Sequence, residues 1–200
     1  MKALVSHPFQ LAYCTNIHPA ETWEETLQAL KSHTLRVRDR VSPGEPYAIG
    51  LRLSALAAHD LRQPVRLGEF RKWLEQENCY IFTINGFPYG QFHDRRVKEN
   101  VYRPDWTTRE RLDYTTALFE ILTQIVPEGI EGSVSTLPGS FKEFQIDSEA
   151  ENRLYQNVWD CAHRMAELSE SSGKTIHLVL NQSHWVGSKQ PPRQFSFSTD

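Results

Sequence analysis

The sequence predicts an α/β protein built on a parallel sheet of about five βα units, followed by an irregular C-terminal tail. Three observations carry this. Short runs rich in β-forming residues alternate with amphipathic helical stretches between residues 10 and 180. Ser/Thr-x-x-Glu capping signatures stand before three of those helical stretches, at Thr22, Thr107 and Ser148. Strands separated by helices must be joined by crossovers, and crossovers lay successive strands parallel.

The first strand is expected over residues 11–16, a short apolar run. Thr22 and Glu25 then form a capping box, and Trp23, Leu27 and Leu30 recur at helical spacing. Ser42-Pro43-Gly44-Glu45-Pro46 is a turn-rich connector into a second strand at residues 48–53. Leu67, Phe70 and Leu74 mark the next helix, and residues 79–84 are a third strand dense in β-formers. Asn85-Gly86-Phe87-Pro88-Tyr89-Gly90 stops that strand and opens a loop running to about Asp105. A helix capped at Thr107 carries Tyr114, Leu118, Ile121, Leu122 and Ile125 on one face, and Pro127 and Gly129 end it. Residues 130–136 are a fourth strand. The long helix capped at Ser148 has an apolar stripe of Leu154, Val158, Cys161, Met165 and Leu168, with Gly173 placed for a left-handed end. Residues 175–180 are the fifth strand. Residues 181–200 lack any sustained period and are assigned as the tail, leaving one domain over 1–180. Periodicity accommodates both an open doubly wound sheet and part of a (β/α)8 barrel.

Composition narrows the function classes. Five Trp, seven Tyr and ten Phe supply ample core, which argues against disorder. With 22 basic against 25 acidic residues, intermixed along the chain, there is no polyanion-binding footprint, and no nucleic-acid partner is expected. No stretch approaches the roughly 18 apolar residues that a spanning helix needs. Cys14, Cys79 and Cys161 are odd in number and have no zinc spacing, so a reduced, cytoplasmic setting is expected, with all three thiols read as small buried apolar groups. GxGxxG, GxxxxGK[ST] and GxSxG are absent, removing the main support for dinucleotide, P-loop and α/β-hydrolase readings.

In parallel α/β folds the reactive groups gather at the C-terminal strand ends. Reading those ends gives Asn16 and His18 after strand one, Arg52 on strand two, Asn85 and the nearby His93 after strand three, and Ser135 on strand four. Asn, Ser and Arg there suit a polyhydroxylated or phosphorylated small molecule. His18 and His93 titrate near neutral pH and are the candidate acid–base groups or metal ligands. Arg52 has an equal alternative, pairing with a carboxylate from a neighbouring strand. Catalytic residues are not assignable from these positions.

These segments resemble a known family. Tyr13-Cys14-Thr15-Asn16-Ile17-His18-Pro19, with Glu21-Thr22-Trp23, looks like the opening of the EboE family of metabolite traffic proteins. Ile49-Gly50-Leu51-Arg52-Leu53-Ser54, then Phe82-Thr83-Ile84-Asn85-Gly86-Phe87-Pro88-Tyr89-Gly90 with Phe92-His93, then Val97-Lys98, Val101-Tyr102 and Pro104-Asp105-Trp106, and finally Gly132-Ser133-Val134-Ser135-Thr136-Leu137-Pro138 fit it in order. The resemblance implies a xylose-isomerase-like TIM barrel, related to sugar-phosphate isomerases and epimerases, and a link to the traffic of prenylated secondary-metabolite precursors. It favours a partial (β/α)8 barrel over the open sheet. In the family, strand five runs into a Glu-Pro-Glu-Pro segment, whereas Leu180 here is followed by Asn181-Gln182-Ser183, with no carboxylate before Asp200. The expectation is therefore a truncated, N-terminal barrel wall. It is not catalytic alone and holds no cofactor in this chain, since a divalent metal would belong to a full-length barrel. Its open sheet edges are prone to self-association. The alternative is a non-catalytic escort for a prenylated or phenolic metabolite, motivated by Phe82, Phe87, Tyr89, Phe92, Tyr102 and Trp106.

Overall fold

A computed structural model describes residues 11–87, 102–141, 144 and 146–181. Five strands form one sheet: β1 (Tyr13–Cys14), β2 (Tyr47–Arg52), β3 (Cys79–Asn85), β4 (Gly132–Thr136) and β5 (Ile176–Leu180). Every neighbouring pair is parallel, and the spatial order follows the chain order, β1-β2-β3-β4-β5. A doubly wound sheet reverses direction at a switch point. This one steps the same way at each crossover, and right-handed crossovers repeated in one direction lay their helices on one face.

The helices are α1 (Trp23–Ala29), α2 (Leu35–Val41), α3 (Ala55–Leu61), α4 (Pro64–Gln76), α5 (Arg109–Ile125) and α6 (Ser148–Ser172). The Thr22 capping box is present: Glu25 N–H donates to the Thr22 hydroxyl, and the Glu25 carboxylate accepts from the Thr22 N–H. Gly173 ends α6 in the left-handed region at φ 67°. Among the described residues, no helix is long and apolar enough to cross a membrane.

Several expectations are corrected. The first strand keeps only two residues, because Thr15–Ile17 turns into a 3-10 helix and the Thr15 hydroxyl accepts the Arg52 N–H at 2.8 Å. The helical stretch that carries Trp23, Leu27 and Leu30 is not one regular helix. It passes through a π turn, Leu30–Thr34, into α2. The helix α3 went unread; Ser54 caps it by accepting the Ala57 N–H at 3.0 Å. Thr108, not Thr107, caps α5, since the Thr107 hydroxyl is held by Asp105. Asp147, not Ser148, caps α6 by accepting the Ala150 N–H at 2.7 Å. Residues 182–200 lie outside the described residues. Asn181 extends the β5 ladder by donating its N–H to the Thr136 carbonyl at 2.8 Å.

The core lies between the sheet and its helices. Ile49, Leu51, Ile81, Ile84 and Val134 of the strands meet Leu61, Phe70, Leu118, Phe119 and Leu122, all at most 2% exposed. Burial alternates along β3: Cys79, Ile81 and Ile84 are buried, while Tyr80, Phe82, Thr83 and Asn85 are partly exposed. A register shift at Ile49/Gly50 sets Gly50 beside Thr83. That bulge keeps Ile84 in the core and turns Thr83 and Asn85 to the other face. The two outer strands are β1 and β5, and Val179 and Leu180 on β5 are each 41% exposed.

Candidate functional site

The strand ends bring three of the expected residues into one hydrogen-bonded row. The Asn85 Nδ2 donates to Asn16 Oδ1 at 3.1 Å, and the Ser135 hydroxyl donates to Asn85 Oδ1 at 3.0 Å. One layer toward the start of the strands, the Ser133 hydroxyl donates to Thr83 Oγ1 at 2.9 Å. The row thus runs from the loop after β1 across β3 to β4, with the side chains locked by one another rather than by solvent. Side chains held by one another in this way are fixed in position before any ligand arrives.

The end of β3 is fixed by its own backbone. Gly86 donates its N–H to the Ser135 carbonyl at 2.7 Å, and a Cβ at position 86 would stand 2.6 Å from that oxygen. Behind it lies Arg111, which is fully buried. Its Nε donates to the Pro104 carbonyl at 2.7 Å, and its Nη1 to the Gly86 carbonyl at 3.1 Å. Sequence reasoning missed Arg111. The available signal was its place on the α5 apolar stripe, three residues before Tyr114.

His18 and Arg52 form a second group at the end of β1. Both line a small cavity of about 10 Å3 with Thr15, Thr26 and Leu30. The Arg52 guanidinium donates to the Ala20 carbonyl at 2.7 Å and pairs with Glu21 at 3.2 Å. Its side chain is only 3% exposed, so the partner carboxylate comes from the β1–α1 loop rather than from a neighbouring strand. His18 Nε2 lies 2.9 Å from the Tyr13 hydroxyl, and its ring stacks on His33 at 4.7 Å. Burial, then the neighbouring His33, hold the His18 pKa below the usual histidine value. His93 lies outside the described residues, as do Tyr89 and Phe92.

The segment leading into α5 is pinned by polar clamps. The Asp105 carboxylate is buried and accepts from the Thr107 N–H at 3.0 Å, the Thr107 hydroxyl at 2.5 Å and the Ser140 hydroxyl at 2.5 Å. Trp106 is fully buried, its indole donating to the Leu137 carbonyl at 3.0 Å, so it packs the core rather than facing a ligand. Beside these lies an open pocket of about 390 Å3 lined by Arg103, Asp105, Thr107, Glu110, Phe144 and Ile146. The Arg103 guanidinium sits 4.3 Å from the centre of the Phe144 ring.

Among the described residues, no three His, Cys, Asp or Glu side chains converge to hold a metal. The cysteines divide differently from expectation: Cys79 and Cys161 are buried, but Cys14 is exposed, 3.6 Å from the Asn85 amide. Burial pushes the Cys161 thiol up to about 12 and raises Cys79 as well. A thiolate-specific aromatic disulfide reagent at pH 8 should therefore label one thiol per native chain, Cys14, with the other two reacting only in denaturant. Two rapid native labels would contradict this burial. Comparison with protein-family models, with curated proteins and with solved structures returned no match.

Proposed function

We propose that the chain is a wall of a xylose-isomerase-like (β/α)8 barrel of the EboE type, whose strand ends bind a polyhydroxylated metabolite or a sugar phosphate in the cytoplasm. The observation that carries this reading is the row Asn16–Asn85–Ser135, placed by a sheet of sequential parallel strands at the end where such folds bind their ligands. The row offers hydrogen bonds and no group that exchanges protons near neutral pH, which favours binding over catalysis by these residues alone. In this reading the work belongs to metabolite traffic, the edges at β1 and β5 are faces for self-association, and a divalent metal enters only with further strands.

Calorimetric titration with a series of sugar phosphates and free polyols tests the proposal. The wild-type chain should bind at least one of them. Asn85→Ala should weaken that binding about tenfold to a hundredfold, the loss expected when a partnered polar group is removed. Absence of binding to the whole series, or equal binding by Asn85→Ala, would overturn it. A second reading, an escort for a prenylated or phenolic metabolite, draws on the pocket lined by Pro104, Phe144 and Ile146, where the Arg103 guanidinium lies over the Phe144 ring. Binding of a prenyl phosphate together with none of the sugar phosphates would select that reading.

A further inference from the structure

We propose that the stacked His18–His33 pair is an acid-sensitive clasp that holds the edge strand β1, and Asn16 with it, against the rest of the sheet. The ladder is short: β1 pairs with β2 at two residue positions, Tyr13↔Ile49 and Cys14↔Gly50, and beyond them the Thr15 hydroxyl bond to Arg52 N–H and the Asn16–Asn85 side-chain bond continue the contact with the sheet. The strand's attachment is completed from the helix side. His33 stands in the π turn between α1 and α2, its ring stacked on His18 at an interplanar angle of 12°. A π turn carries one residue more per turn than a regular helix and commonly marks a functional irregularity. Here it carries the residue whose ring stacks on His18, just beyond the 3-10 turn that follows β1. His18 in turn meets Tyr13, closing a chain from the π turn through His18 to the strand.

The charges around the pair set the direction of the response. From β1, the Tyr13 hydroxyl faces His18 Nε2 at 2.9 Å, where a neutral imidazole with its proton on Nδ1 accepts the hydroxyl hydrogen bond. From the π turn comes His33, and from β2 comes Arg52, which shares the small cavity and is paired with Glu21 of the β1–α1 loop. Tyr47 lies next to Tyr13, with ring centres 6.4 Å apart. No carboxylate lies in hydrogen-bond contact with His18 among its described partners. Protonating His18 therefore places a partly buried cation against a second imidazole, with the Arg52 guanidinium already paired to Glu21. It also makes Nε2 a donor, so the Tyr13 contact persists only with the tyrosine oxygen as acceptor. Since His18 binds its proton less readily in the folded chain than in the unfolded one, acid favours release. The 3-10 turn ties His18 N–H to the Thr15 carbonyl at 3.0 Å, so the displacement reaches Asn16.

NMR titration of the full chain from pH 8 to pH 5 tests the clasp. The His18 ring should titrate below the ordinary histidine midpoint, and the amide signals of Cys14, Asn16 and the Asn85 side chain should shift with that same midpoint. His33 is exposed, so His33→Gln should fold. It should raise the His18 midpoint toward the ordinary value and shrink the Asn16 response at least twofold. Unchanged Asn16 and Asn85 signals through the His18 titration would overturn the proposal, as would an unaltered His18 midpoint in His33→Gln. Neither readout depends on the ligand.

Discussion

Gly86→Ala is expected to destabilise the chain by about 2–4 kcal/mol, because it combines overpacking with loss of a buried backbone hydrogen bond. The new methyl would meet the Ser135 carbonyl oxygen at 2.6 Å and the Leu118 Cδ1 at 3.3 Å. Leu118 can rotate, but the carbonyl belongs to β4 and cannot. Relief requires the end of β3 to move away from β4, breaking the Gly86 N–H bond to Ser135 and the register pair Asn85↔Ser135. The same movement separates the Asn85 and Ser135 side chains, so ligand binding should fall with stability. Urea unfolding monitored by circular dichroism measures the first effect and calorimetry the second. A variant within 0.5 kcal/mol of wild type would show that the two strands are not in such close approach.

The clasp and the strand-end row depend on residues of unequal legibility. Asn85-Gly86 could be read directly, since a stop signal after a β-rich run ends the strand and exposes the next side chains. Ser135 follows from the same logic, whereas Asn16 is reached through a strand expected to run two residues too far: β1 stops at Cys14 and Asn16 stands in the 3-10 turn after it. The Thr22 box was legible because its Glu stands three residues on and no competing cap is adjacent. At Thr107-Thr108 and Asp147-Ser148 two capping residues stand side by side, and local pattern cannot choose between them. Tertiary contact decides: Asp105 takes the Thr107 hydroxyl, leaving Thr108 to cap α5. The π turn and the His18–His33 contact join residues fifteen positions apart through the geometry of a helix irregularity, for which no periodic signal exists. The strand order was open for the same reason, since alternation is shared by sheets that reverse direction and sheets that do not. Whether Arg52 met a ligand or a carboxylate turned on the path of the β1–α1 loop, a tertiary property.

Arg111→Met should cost about 2–5 kcal/mol, the sum expected for stranding the carbonyls of two buried residues. The methionine retains much of the side-chain volume, so the loss reports hydrogen bonding rather than a cavity. The Pro104 and Gly86 carbonyls both depend on the guanidinium, one on Nε and one on Nη1. Arg111→Lys keeps the charge but lacks the fork, so it should recover less than half of the lost stability. Full recovery by lysine would mean that charge alone, not the two-pronged geometry, secures the loop. The two substitutions also converge on one peptide group. Gly86 is held through its N–H by Ser135 and through its carbonyl by Arg111, so freeing one side removes much of what the other constrains. The double variant Gly86→Ala/Arg111→Met should therefore lose less than the sum of the singles, by at least about 1 kcal/mol, as contacting residues in one network do. Strict additivity would mean that the end of β3 and the start of α5 are secured independently, and that the strand-end row does not depend on Arg111.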